Sequence, residues 1–366
     1  MDNLTHTLFG ATLARTPLNR AGRGTTAALI LASNAPDIDI VTAVDGALGY
    51  LQWHRGPTHG PLGVVALGTI VAGIVWGGSR LLDRDRTAIH ASFRSLAFVS
   101  ILGVLFHVLM DLPTSYGTRI LSPFDWRWFA VDLMPIVDIY LLAALATCFW
   151  FGSRLEWRRR NVVIALSLMA LNYGVRIRAH RQALDLAPRM FGPALPGRCE
   201  AAGQQGPLVD RWPIHGPLSD DDRERRCLLE IAALPTFTSP FQWRLVARLS
   251  NAYETRDIDL VELALRPPPT GPEAPWRLVQ RIPNRWTPAA VEGARSHTVQ
   301  IFLGFSRFPA AHSTADPEGD ATVRWTDVRF TVAAPRTPVD GPRAGFFRAT
   351  VVVAPDGRIL DERLGE

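Results

Sequence analysis

The chain has 366 residues, 47% hydrophobic and 20% charged, with 39 basic residues against 34 acidic ones for a formal charge of +5. Every basic residue is Arg, and the 28 Pro and 29 Gly are scattered without period. That composition excludes a disordered chain, a collagen and a disulfide-dense toxin, and the length accommodates two domains or more.

In chain order, Leu4 to Ala14 and Thr25 to Pro36 are apolar runs too short to span a bilayer, and they are expected as short helices against a bundle. Met1 to Asn3 carry no positive charge, which speaks against a signal peptide and leaves internal segments to reach the membrane. Four longer runs follow: Pro61 to Ser79, Ser95 to Met110 with only His107 ionisable, Leu133 to Ser153 with only Asp138, and Asn161 to Val175. Each is expected as a spanning helix, since about 20 apolar residues cross the hydrocarbon core. Arg15, Arg20 and Arg23, then Arg80, Arg84, Arg86 and Arg94, then Arg154, Arg158, Arg159 and Arg160 occupy alternate connections, which the positive-inside rule assigns to the cytoplasm. The other loops, and everything beyond the fourth run, are then expected on the outer, periplasmic side. Short Arg loops explained by topology also argue against nucleic-acid binding.

Beyond the fourth run the composition shifts. Residues 179–240 read as an irregular linker region with a short helix at Asp220 to Leu234. Strand-like runs follow at Gln242 to Leu249, Trp276 to Ile282, Thr298 to Phe305, Thr322 to Val332 and Phe346 to Val353, bounded by Pro, Gly and Asp clusters. The expected architecture is therefore an α-helical polytopic membrane domain over 1–178, with four long and two short helices, and a small β-rich soluble domain over 241–366. Cys148 lies in an apolar run and reads as inert, whereas Cys199 and Cys227 are available to pair if they face an oxidising compartment.

The polar residues of the membrane half form a pattern. His6 opens the first short helix, Asp37 and Asp39 end the second, His54 and His59 flank Arg55-Gly56-Pro57-Thr58, and His107 and Asp111 share a helix face at a spacing of four. The topology brings all of them to the outer side of the bundle. Ionisable groups at membrane depth are costly without partners, and imidazoles with carboxylates are what a divalent transition metal takes, Zn²⁺ or Mn²⁺ before Mg²⁺ or Ca²⁺. Seven candidate ligands (His6, Asp37, Asp39, His54, His59, His107 and Asp111) exceed one tetrahedral site, so one or two ions are expected. Asp39 or Asp111 is a candidate general base, and Arg55 a candidate holder of an anionic substrate group. Asp138 reads as a partner orienting one of the imidazoles. Taken singly, each has a plainer reading: a satisfied core His, a loop cap, a solvated loop pair. His90, His180, His215, His297 and His312 show no ligand spacing and read as surface residues.

At these residues the sequence resembles the YdjM-like family of membrane-bound, metal-dependent hydrolases, in its longer form with a C-terminal domain. The motifs are Asp2-Asn3-Leu4-Thr5-His6-Thr7, Pro36-Asp37-Ile38-Asp39, His54-Arg55-Gly56-Pro57-Thr58-His59, and His107 to Asp111 followed by Pro113-Thr114-Ser115-Tyr116-Gly117 and Pro123-Phe124. Pro240-Phe241-Gln242-Trp243-Arg244 is similar to the longer members. The resemblance implies residence in a bacterial inner membrane, a divalent metal and hydrolase activity. One departure is Gly60, where the pattern leads one to expect Ser or a similar residue; ligation is not expected to depend on it. A site at headgroup depth points to a lipid or lipid-linked ester or phosphoester as substrate, with membrane lipid as partner. The competing readings are a non-enzymatic transporter and a structural or sensory protein with a metal-stabilised bundle.

Overall fold

The structure, a computed structural model, describes residues 1–82, 91–151, 158–193, 195–199, 210–212, 226–266, 279–331 and 347–365. It divides into two compact units, one of Met1–Val41, Trp53–Arg178 and Phe237–Pro240, the other of Thr42–Gln52, Ala179–Thr236 and Phe241–Glu366.

The first unit is helical. Helix α1 (Asn3–Leu13) begins where the Asp2 carboxylate accepts the Thr5 backbone N–H at 2.9 Å, an N-cap that fixes where His6 falls. Helix α2 (Thr25–Ala32) leads into a 3₁₀ segment, Ala35–Asp45, which from Thr42 on belongs, with nearly all of helix α3 (Gly46–Trp53), to the second unit. Helices α4 (Pro61–Leu82) and α5 (Phe93–Asp111) pack closely, a Cβ on Gly68 coming within 2.6 Å of the Ile101 Cα, and α5 packs as closely on α2, where a Cβ on Gly103 would come within 2.8 Å of the Ala32 Cβ. Small residues at such crossings let backbones approach where lipid offers no hydrophobic drive. Along α5, Leu96, Ser100, Gly103, His107 and Asp111 form one buried stripe, so the helical period that packs α5 also turns its two ionisable groups inward.

Helices α4, α5 and α7 (Arg158–Phe191) are long and apolar enough to cross a membrane, and α2 with the Ala35–Trp53 stretch, bent by 42°, makes a fourth if counted as one span. Within the expected span Leu133 to Ser153 the helix starts later, at Ile139: the described part, α6, is Ile139–Phe151, and Gly152 and Ser153 lie outside the described residues. Pro135 pushes Met134 out of helical backbone. Leu133 and Met134 instead donate to the Pro113 carbonyl at 2.8 and 2.9 Å, and Asp138 accepts the Leu141 N–H at 2.7 Å to start the helix. The Asn161 to Val175 run lies inside the 34-residue α7. Of the Arg loops, Arg84, Arg86 and Arg154 lie outside the described residues.

In the second unit, apart from the short β1 (Trp128–Ala130, in the first) and β2 (Asp210–Trp212), two four-stranded antiparallel sheets carry the fold. The first runs β3 (Leu228–Pro235), β4 (Gln242–Leu249), β5 (Ala252–Asp259) and β6 (Gln280–Pro283) in order. The second runs β7 (Pro309–Ala315), β8 (Ala321–Asp327), β9 (Arg348–Val353) and β10 (Ile359–Leu364). Ala179, Ala183 and Ala187 from the end of α7 join Trp243 and Leu245 in one core, and Trp325 and Val351 centre another with Val299 and Phe302.

Two expected elements change type. The helix placed at Asp220 to Leu234 is strand β3 from Leu228 on, paired from Leu228↔Leu249 to Pro235↔Trp243, with 220–225 outside the described residues. Cross-strand pairing overrides the helix propensity of its Leu, Glu and Ala. The strand placed at Thr298 to Phe305 is a helix, His297–Phe305, capped by Ser296 and burying Val299, Phe302 and Phe305 at every third position. Its β-branched and aromatic residues mislead because packing, not propensity, decides. The run Thr322 to Val332 is a strand only to Asp327, whose carboxylate accepts the Arg329 N–H at 3.0 Å and turns the chain into a 3₁₀ helix, Val328–Phe330. Cys199 and Cys227 form a disulfide.

Candidate metal centre

The site assembles from four stretches of the first unit. The 3₁₀ segment supplies Asp37 and Asp39, the loop before α4 supplies His54 to His59, the end of α5 supplies His107 and Asp111, and α1 supplies His6. Four of these converge: Asp37, His59, His107 and Asp111 each offer an atom, all within 4.8 Å of one another. The His59 and His107 Nε2 atoms are 3.3 Å apart; from Asp111 Oδ2 they stand at 3.4 and 3.5 Å, and from Asp37 Oδ1 at 3.9 and 3.5 Å.

The protonation of the two imidazoles follows from what lies behind them. His107 Nδ1 sits 2.7 Å from the Ser33 carbonyl oxygen, which only accepts, so Nδ1 carries a proton and Nε2 is the nitrogen that can offer a lone pair to a metal ion. His59 Nδ1 sits 3.0 Å from the Thr58 hydroxyl, itself 3.2 Å from Asp39 Oδ2. The hydroxyl proton goes to the carboxylate, so Thr58 accepts from His59 Nδ1, and His59 Nε2 also points a lone pair inward. Two lone pairs and two carboxylates facing one point repel one another unless a cation lies between them. Tetrahedral ligands at about 2.1 Å from a metal stand about 3.4 Å apart, and the spacing here matches. The donor set and its geometry therefore fit a bound metal ion.

Around this cluster the remaining expected residues take other positions. His6 stacks on His107 with ring centroids 3.8 Å apart, its Nε2 3.4 Å from Asp111 Oδ1, and both of its buried nitrogens lack a hydrogen-bond partner among the described residues. Asp39 is turned away from the converging atoms and anchors the loop: Oδ2 accepts the Arg55 backbone N–H at 2.7 Å, and Oδ1 is 3.0 Å from His54 Nδ1. His54 thus faces Asp39, with its ring edge-on to Tyr116. Arg55, which adopts a left-handed backbone (φ 51°), is buried and committed. Its guanidinium reaches Asp111 Oδ2 at 3.2 Å, Thr114 Oγ1 at 3.2 Å and the Gly117 carbonyl at 3.0 Å, over the Tyr116 ring. The Met1 amino group also pairs with Asp111. Asp138 orients no imidazole: it pairs with Arg176 in the buried interior and accepts from Asn172 Nδ2 at 3.2 Å. Among the other histidines, His180 lies against Trp243 rather than on open surface, His297 and His312 are exposed, and His90 and His215 lie outside the described residues.

Sequence reasoning missed Thr58, Ser33 and Thr114. Thr58 was legible as the residue before a ligand, whereas Ser33 acts through a carbonyl that no side chain announces.

Apolar helices long enough to cross a membrane, with a buried His/Asp cluster that could hold a metal ion, define the class as a membrane protein. The family described as YdjM inner membrane protein matches residues 1–183, half of the chain, and the chain belongs to it. A relative from Bacillus subtilis (strain 168), described as "Uncharacterized protein YfhP", is 32% identical over 130 residues, 34% of this chain and 37% of the relative. The chain thus spans little more than a third of that relative's length. No solved structure matches it.

Proposed function

We propose that this protein is a membrane-embedded, metal-dependent hydrolase of an ester or phosphoester in a lipid or lipid-linked substrate, working at the outer face of the inner membrane. The observation that carries the reading is the set of two imidazole lone pairs and two carboxylates aimed at one buried point. Zn²⁺ or Mn²⁺ suits that set; His6, whose ring nitrogens have no hydrogen-bond partner among the described residues, would be the further donor for a second ion. When bound, such an ion supplies a Lewis acid for the scissile ester. Asp39, in contact with Arg55 N, Thr58 Oγ1 and His54 Nδ1, positions the loop, and Asp37 Oδ2, buried without a hydrogen-bond partner among the described residues, is the carboxylate oxygen open to a proton from the substrate side. Arg55, paired with Asp111 at 3.2 Å, places a guanidinium beside the cluster, where an anionic substrate group would meet positive charge. The outer-face assignment is supported by the Arg loops on the opposite side and by the Cys199–Cys227 disulfide, a bond that persists in oxidising compartments.

The test is metal analysis of the detergent-purified chain beside a His107→Ala/Asp111→Ala variant of equal folded yield, followed by hydrolysis assays on lipid phosphoesters. One or two equivalents of metal, lost in the variant, together with metal-dependent turnover, is the expected result. A wild-type chain that stays empty after incubation with Zn²⁺ and Mn²⁺ refutes the proposal.

A further inference from the structure

The four converging residues are unequal in access. His59, His107 and Asp111 are sealed at 1, 0 and 0% exposure, whereas the Asp37 side chain keeps 15%. The approach to the cluster therefore passes Asp37. In the 3₁₀ segment Asp37 and Asp39 alternate with Ile38 and Ile40, and Ile38, Ile40 and Val41 are 55, 62 and 58% exposed.

Three large apolar side chains beside a buried polar cluster are a costly arrangement against water. Their exposure is that of Val65, Ile70 and Ile74 on α4 (56, 56 and 62%), a helix long and apolar enough to cross a membrane. The 3₁₀ segment also belongs to the bent pair that passes the same test. Nearby in sequence to Arg55, Trp53 packs edge-on against Trp126 at 5.5 Å, both about 40% exposed, and Phe124 is 76% exposed. Amphipathic rings of this kind sit at headgroup depth.

We infer that the cluster is reached from the bilayer past Ile38, Ile40 and Val41, so that its ligand is a long-chain amphiphile whose apolar part stays in lipid while its ester or phosphoester group meets Asp37. This rests on the hydrolase reading and adds to it the route of entry: the substrate reaches Asp37 sideways from the bilayer, with its chain held against Ile38, Ile40 and Val41, rather than from water. One short segment thus does both tasks: Asp37 turns to the cluster and Asp39 to the loop that carries His59, while the isoleucines between them turn to lipid.

The experiment uses the full chain, loaded with Zn²⁺, in nanodiscs of phosphatidylethanolamine and phosphatidylglycerol. In a Cys148→Ser background, nitroxides are placed through Ile38→Cys and Ile40→Cys, with Ile70→Cys as a lipid-facing reference and His297→Cys as a water-facing one. The labels at 38 and 40 are expected to collide with oxygen rather than with a water-soluble nickel chelate, as the label at 70 does. A water-facing profile like that at 297, or labels that neither reagent reaches because protein covers the edge, overturns the inference. In the second arm, hexadecylphosphonate delivered in the bilayer is expected to bind with an apparent Kd at least about tenfold below that of methylphosphonate, and Ile40→Gln is expected to weaken only the long-chain ligand at unchanged zinc content. Equal affinities, or binding of neither probe to a zinc-loaded chain, overturn the inference while leaving the metal site standing. A chain that takes up no zinc defeats the hydrolase reading instead, and the nitroxide profile, which needs no metal, still decides whether the edge lies in lipid.

Discussion

Thr58→Val removes one hydroxyl from the path that sets the His59 tautomer. In the native chain the Thr58 oxygen accepts from His59 Nδ1 at 3.0 Å and donates to Asp39 Oδ2 at 3.2 Å. Valine keeps the branched shape but leaves a buried imidazole N–H without its acceptor, a loss of about 1–3 kcal/mol. Asp39 retains the Arg55 backbone N–H at 2.7 Å, so the loop itself is expected to hold. The free energy therefore falls on ligation: His59 can shift its proton to Nε2, where it blocks the metal. Loss of such a supporting partner weakens metal affinity about 10- to 100-fold, equivalent to about 1.4–2.8 kcal/mol. Competition with a chromogenic chelator on the detergent-solubilised chain reads this directly, and Thr58→Ser, which restores the hydroxyl, is expected to recover most of the affinity. Wild-type affinity in a Thr58→Val chain of normal folded yield would refute the tautomer argument, and with it the assignment of His59 Nε2 as a ligand atom.

Three further outcomes are expected. Gly60→Ala would place a Cβ 1.8 Å from the Ser122 carbonyl oxygen, backbone against backbone, so the loop must move; a loss of about 1–3 kcal/mol in stability and weaker metal binding through the adjacent His59 should appear in thermal melts and chelator titrations. Asp327 is fully buried, and although burial alone would raise its pKa, the Arg329 guanidinium and N–H hold the carboxyl below the usual carboxylate range. The folded value is thus depressed, so its stabilisation is complete above the unfolded pKa of about 3.9 and fades as pH falls through the folded value; Asp327→Asn should flatten the acid limb of the second unit's urea midpoint and cost about 3–5 kcal/mol at neutral pH. Reducing Cys199–Cys227, which closes a separation of 28 residues, should lower the stability of the same unit by about 3–4 kcal/mol, measured by urea unfolding with and without reductant.

The membrane half was legible because two periodicities coincide there. Apolar length marks α4 and α5, and the i, i+4 spacing of His107 and Asp111 survives into the buried stripe of α5. Which of the candidates converge was not legible. Asp37 and Asp39 are two residues apart, and only the 3₁₀ backbone decides that Asp37 faces the cluster while Asp39 faces the loop. Gly60 shows the same limit: spacing makes it look dispensable, but the close pass of the Ser122 carbonyl, far along the chain, makes it necessary here. In the second unit the errors came from propensity, at Leu228–Pro235 and His297–Phe305, where long-range pairing and core packing set the outcome.

Asp39 gives the centre a further property. Its contacts to His54, Arg55 and Thr58 close residues 54–58 into a ring that passes through none of the four atoms meant for the ion. In small zinc domains the ion is the scaffold, and its departure unfolds the chain. Here a carboxylate holds the loop, so if an ion occupies the centre, its departure is expected to leave residues 54–58 in place, and reloading becomes a matter of capture rather than refolding.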